Sequence, residues 1–112
     1  MSNPVAKSQR TAVAGTGETT IVTADPNFNL NLYGLIITTP NAAAGTLTLR
    51  DSTAGVVRAV FDYPNGAAAP GAPLVIPFNP PLQQSLLNNN NWTLQASVNA
   101  AGYNVTALFN EA

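Results

Sequence analysis

An all-β sandwich of seven or eight short strands is the fold this sequence predicts, and three observations predict it. Short β-branched or alternating runs recur at intervals of about ten residues. Turn formers separate them, drawn from 9 Pro and 8 Gly in 112 residues. Hydrophobic residues make up 46% of the chain and charged ones only 8%, so solubility falls to Asn, Thr, Ser and Gln. One domain is expected at this length, with enough chain to bury a core without staples. Eight strands in two antiparallel sheets would be a jelly roll. An immunoglobulin-like order is the other arrangement, although the Cys–Trp–Cys signature is missing.

Residues 1–13 (MSNPVAKSQRTAV) stand apart. They hold Lys7 and Arg10 and little β-branched content, which predicts an exposed, flexible arm ahead of a sandwich over 14–112. Thr19–Thr23 is the first strand-like run and stops at Asp25-Pro26. Leu30–Thr39 follows; its second half is continuously apolar, as in a strand covered on both faces. Gly45–Asp51 alternates, with Leu47 and Leu49 inward and Thr46, Thr48 and Arg50 outward. Ser52–Gly55 turns it into Val56–Tyr63, forming a hairpin that ends at Pro64-Asn65-Gly66.

Ala67–Pro73 is a loop of small residues. Leu74–Phe78 is again a strand, which Pro77 confines to a sheet edge or a strand end. Asn79-Pro80-Pro81 breaks the chain, Leu82–Leu87 is at most one helical turn, and Asn88–Asn91 is a loop. A last hairpin is expected from Trp92–Val98 and Tyr103–Phe109, with Trp92, Leu94, Ala96, Val105, Ala107 and Phe109 inward. The run 46–61 echoes 93–109, through either a duplicated hairpin or the alternation any tight hairpin demands.

Composition removes several function classes. With neither Cys nor His, the chain has no disulfide, no thiolate nucleophile, no usual zinc site and no His-based triad. Four basic residues cannot build the positive face that nucleic acid requires. No apolar run reaches membrane-span length, and MSNPVAKSQR lacks a signal-peptide core, which points to a complete cytoplasmic product.

The search for chemistry finds no constellation. Asp51 and Asp62 flank one hairpin and could be neighbours, as a glycosidase pair requires, but both sit beside turns where Asp accepts backbone hydrogen bonds. Changing both to Asn is expected to leave function intact. Lys7 and Ser8 adjoin in an arm that cannot hold a Ser–Lys geometry. Gly15-Thr16-Gly17 lacks the third glycine of a dinucleotide loop. Asp25, Asn27, Asn29 and Asn31 have the spacing of the first calcium ligands of an EF-hand. Leu30 and Ile36 then occupy its glycine and glutamate positions, so an Asx turn is expected instead. Asn91-Trp92-Thr93 and Asn104-Val105-Thr106 match the glycosylation sequon with nothing beside them that indicates secretion. Trp92 and Tyr103 fit the core better than a sugar platform. No enzyme activity, cofactor, metal or small-molecule substrate is expected.

A short basic arm, a small Cys- and His-free sandwich, and Asn- and Thr-rich surfaces together resemble the β-sandwich head decoration (cement, or auxiliary) proteins of tailed bacteriophages. The segments that carry the likeness are Gly34–Gly55, Pro73–Val98 and Gly102–Phe109. The resemblance implies a virion protein on the outer capsid surface, made in the host cytoplasm, that reinforces contacts between major capsid proteins. It further implies a homotrimer. Pro4, Val5, Lys7, Arg10 and Val13 are then the candidate capsid contacts, ordering on the shell. Ala69, Pro70, Pro73, Val75 and Pro77 are the candidate inter-subunit contacts, in a loop and strand whose small residues permit close approach. The alternative is a receptor- or carbohydrate-binding head domain of a phage fibre or tail protein, for which the amide loop Asn88–Asn91 is the candidate feature. Neither reading involves nucleic acid or a membrane.

Overall fold

The computed structural model describes residues 7–13, 16–38, 45–63, 74–84, 90–97 and 103–111. They form eight strands: β1 (Lys7–Val13), β2 (Thr19–Val22), β3 (Leu30–Thr38), β4 (Gly45–Asp51), β5 (Val56–Tyr63), β6 (Leu74–Leu82), β7 (Trp92–Ala96) and β8 (Tyr103–Glu111). Two four-stranded sheets result, ordered β1-β8-β3-β6 and β2-β7-β4-β5, and every pairing is antiparallel. The protein is an all-β sandwich.

Its core is the set of inward side chains that the alternation marks. Leu47 and Leu49 of β4, Trp92 and Leu94 of β7, and Val105 and Ala107 of β8 are all fully buried. On β3 the rule changes partway. Leu30 and Leu32 point inward, then Leu35 and Ile37 do, because the register with β8 slips by one residue between Leu32 and Gly34. The bulge puts Tyr33 outside and reverses which parity faces the core. Gly34 allows it: a Cβ there would sit 3.0 Å from the Ile76 carbonyl oxygen on β6. The apolar run Leu35–Ile37 is therefore not sealed on both faces, since Ile36 is only half-buried and looks outward.

Two expectations are corrected. The arm is not free from residue 7 onward: Lys7–Val13 is β1, paired with β8 over its whole length. An edge strand needs its backbone bonds more than a core, and β1 fully buries only Val13. Gln9 adds a side-chain tie, its Oε1 accepting from the Thr23 N–H at 3.0 Å. Polarity here marks an edge strand, a pattern that reads like an arm in sequence. Residues 1–6 lie outside the described residues. Because β1 buries so little, its amides should exchange faster with deuterium than those of β3, which is paired on both sides. Equal protection in the two strands would contradict this.

The second correction concerns the last hairpin. β7 and β8 do not pair; β7 lies between β2 and β4, and β8 between β1 and β3. The connection from Ala96 to Tyr103 is long enough to cross the roughly 10 Å between packed sheets. The echo of 46–61 in 93–109 thus compares a true hairpin, β4–β5, with a passage between sheets. What repeats is alternation, which only records that one face of each strand is buried. β6 also runs further than expected, through Pro80 and Pro81 to Leu82, and it is an outer strand as Pro77 requires. The expected turn within Leu82–Leu87 is not helical at residues 82–84, and the rest lies outside the described residues.

Candidate interaction surfaces

Antiparallel register places the proposed contact residues relative to one another. Arg10 on β1 pairs with Thr106, Thr106 with Ile36, and Ile36 with Val75. This row crosses the outward face of the 1-8-3-6 sheet, about 14 Å from end to end at the usual strand spacing. The neighbouring row runs Ser8, Leu108, Gly34, Pro77. Val75 is 61% exposed, Leu108 37% and Tyr33 36%. The result is a mostly uncharged outer face, apolar at Leu108, Ile36, Val75 and Pro77, with Arg10 at one margin. Residues assigned separately to capsid and inter-subunit contact, Arg10 on one side and Val75 and Pro77 on the other, share this one face.

The other candidates fare differently. Lys7 is exposed and forms an ion pair with Glu111. Val13 is buried in the core and cannot contact a partner, which corrects its assignment: its side chain is the inward end of β1. Pro4, Val5, Ala69, Pro70 and Pro73 lie outside the described residues. Leu108, Tyr33 and Ile36 were missed. Alternation along β8 already turns Leu108 outward; for Tyr33 and Ile36 the signal is Tyr33-Gly34, a bulky residue beside a glycine within a strand, which is how a bulge announces itself.

Asp51 and Asp62 are not neighbours. Asp51 pairs with Val56 beside the β4–β5 turn, whereas Asp62 pairs with Thr46 at the other end of the hairpin. Asp51 is buried with the inward residues and Asp62 is exposed. No shared cleft joins them. Asp51 instead accepts from the Arg58 Nη1–H at 3.2 Å. That guanidinium also donates to the Gln83 carbonyl oxygen at 2.7 Å and lies 5.7 Å from the centroid of the Trp92 ring. Arg58 reaches inward because the β4–β5 register slips there: Leu49 pairs with Ala59 but Arg50 with Val57, leaving Arg58 as the extra residue.

More polar links close this end of the sandwich. Trp92 donates its Nε1–H to the Leu30 carbonyl oxygen at 2.8 Å. Gln84 accepts from the Leu30 N–H at 2.7 Å and donates to the Asn90 carbonyl oxygen at 2.8 Å. Asn91 donates to Thr20 Oγ1 at 3.0 Å and to Thr53 Oγ1 at 3.1 Å. These amides hold loops together, and Asn91, one of the loop asparagines proposed for ligand binding, is engaged within the fold. Asp25 accepts from the Asn27 N–H at 2.8 Å, the expected Asx turn. Among the described residues no three acidic side chains gather as a metal site would need.

The β4–β5 turn depends on Glu18. Ser52 and Ala54 adopt left-handed φ values of 72° and 55°, a conformation that costs non-glycine residues energy. The Ala54 N–H then donates to both Glu18 carboxylate oxygens at 3.0 Å, and Thr93 Oγ1 donates to one of them at 2.7 Å. The Ala54 N–H is the main reason Glu18 titrates below the ordinary value of 4.5; Thr93 adds to it, partial burial opposes it, and Arg50 contributes a smaller pull. A carboxyl whose folded pKa is lowered stabilises the fold above its unfolded pKa and loses that effect as pH falls through the folded value. Glu18→Gln should therefore show a lower urea midpoint than the wild type at neutral pH. The gap should close as the pH drops below 4.5. A gap independent of pH would contradict the assignment.

No protein-family model matches this sequence, and no curated protein matches it.

Proposed function

We propose that this chain is a structural protein of a tailed-bacteriophage virion, bound to the outside of the capsid, where it reinforces contacts between copies of the major capsid protein. The observation that carries this reading is the outer face of the 1-8-3-6 sheet, where Leu108, Ile36, Val75 and Pro77 adjoin and Arg10 is the single charge in the row. Such a face suits a broad contact with little charge to desolvate. The strand order supports it too: 1-8-3-6 with 2-7-4-5 accords with the proposal of a jelly roll, an architecture that serves viral capsid and lectin domains.

The lectin-like alternative draws less support. Trp92 is fully buried, and Asn91 of the amide loop is tied within the fold to Thr20 and Thr53. No catalytic step is proposed, because Asp51 and Asp62 stand on opposite faces and at opposite ends of their hairpin.

Co-sedimentation with capsids of the phage that encodes it tests the reading. Wild-type protein should pellet with the shells. Val75→Glu and Leu108→Glu should weaken binding strongly while leaving the fold intact, since both side chains are exposed. Arg10→Ala should weaken it only slightly, by the 0–1 kcal/mol typical of about one surface ion pair, and less at high salt. A wild-type protein that stays in the supernatant would refute the proposal, and so would full binding by both glutamate variants.

A further inference from the structure

The Asx turn absorbs only the first half of the run Asp25, Asn27, Asn29, Asn31, through Asp25 and Asn27. Asn29 and Asn31 flank Leu30, whose side chain enters the core, so alternation turns both to the outer side of the 1-8-3-6 sheet. Register sets Asn110 of β8 directly opposite Asn31 and diagonal to Asn29. Asn110 shares the outward side with Leu108, yet it is only 5% exposed. Its Nδ2–H donates to the hydroxyl of Tyr33. Among the described residues, the side-chain oxygens of Asn29 and Asn110 are closed off from solvent and accept no hydrogen bond. Enclosed acceptors without a donor are rare and destabilising.

We infer that Asn29, Asn31 and Asn110 bind a calcium ion through their side-chain amide oxygens. Diagonal partners on neighbouring strands are about 7–8 Å apart. Two amide oxygens can bridge that span through a cation that takes oxygens at about 2.3–2.6 Å. Tyr33 brings a fourth oxygen beside Asn110, and Asn31, only half-buried, leaves one side open to water.

Donor chemistry selects the ion. The chain has no Cys or His, so the nitrogen and sulfur ligands that favour zinc and copper are missing. Magnesium demands a strict octahedron at shorter distances, whereas calcium accepts irregular oxygen sets. A sugar or a peptide is too large to reach oxygens that solvent does not touch. No carboxylate joins the set: Glu111 follows Asn110 but turns to the other side, where it pairs with Lys7. A site of neutral amides therefore differs from the acidic clusters that hold calcium tightly, and its Kd is about 1 mM. The inference does not depend on the capsid reading.

Thermal melts of the purified chain test it, in about 10 mM calcium chloride, in magnesium chloride at the same concentration, and in sodium chloride at matched ionic strength. At that Kd the wild type should melt about 5 °C higher in calcium than in the other two salts. Asn110→Leu, an isostere without the enclosed acceptor, should keep the fold and lose the calcium shift. Asn29→Ala should lose it as well, and Asn27→Ala, on the exposed turn, should keep it. A wild type that melts alike in all three salts would overturn the inference; that is the result expected if water alone satisfies the two oxygens. An equal shift in magnesium would overturn it too, as would a calcium shift retained by Asn110→Leu or Asn29→Ala.

Discussion

Replacing Asp51 with Ala should lower stability by about 3 kcal/mol, a loss typical of removing one member of a buried ion pair. The carboxylate is fully buried and its partner Arg58 is 23% exposed, so the loss strands a guanidinium beside Trp92 with only part of its charge solvated. Asp51 and Asp62, both expected to tolerate Asn without loss of function, therefore differ in what they contribute to stability. Asp62→Asn, on the exposed face, should stay within about 0.5 kcal/mol of the wild type, while Asp51→Asn should lose much of what Asp51→Ala loses. The double variant Asp51→Ala with Arg58→Met should be less damaged than the two single losses sum to, because no unpaired charge remains. Urea midpoints for these variants, for Arg58→Met alone and for the wild type measure this. An Asp51→Ala midpoint equal to that of Asp62→Asn would remove the ion pair from the account of the fold.

Trp92→Ala carries the largest expected loss, about 4 kcal/mol. The indole is the largest fully buried side chain, set between the sheets with its N–H bonded to the β3 backbone at Leu30. Small domains have total stabilities of roughly 5–15 kcal/mol, so this variant should be partly unfolded at ordinary temperature or melt far below the wild type. Trp92→Phe keeps most of the buried ring and forfeits the hydrogen bond, for about 1–2 kcal/mol. Thermal melts by circular dichroism distinguish the two. A Trp92→Ala protein that melts like the wild type would mean the ring is peripheral, and would reopen the sugar-platform alternative.

Much of this architecture could be read from periodicity. Alternation in GTLTLRD located β4 and its inward leucines to the residue, and Pro77 narrowed β6 to a sheet edge or a strand end, of which the structure has the edge. Periodicity reports burial, however, and not partners. It could not show that β7 pairs with β2 and β4 and leaves β8 to the other sheet, because either pairing buries the same face. β1 escaped for a related reason: an edge strand held mainly by backbone bonds writes no hydrophobic pattern into its sequence. Bulges hid the rest. At Tyr33-Gly34 and at Arg58 one extra residue reverses the parity, which turns Ile36 and Val57 outward and brings Arg58 in to Asp51. The interaction faces could not be assembled before those two slips were known.

Cryo-electron microscopy of phage heads carrying this protein tests the central claim most directly. The expected map has an eight-stranded sandwich on the outside of the shell, with the β1-β8-β3-β6 sheet turned toward the major capsid protein and Val75 and Leu108 within the contact. A shell bare of the protein, or density for it in a tail fibre instead, would contradict the claim.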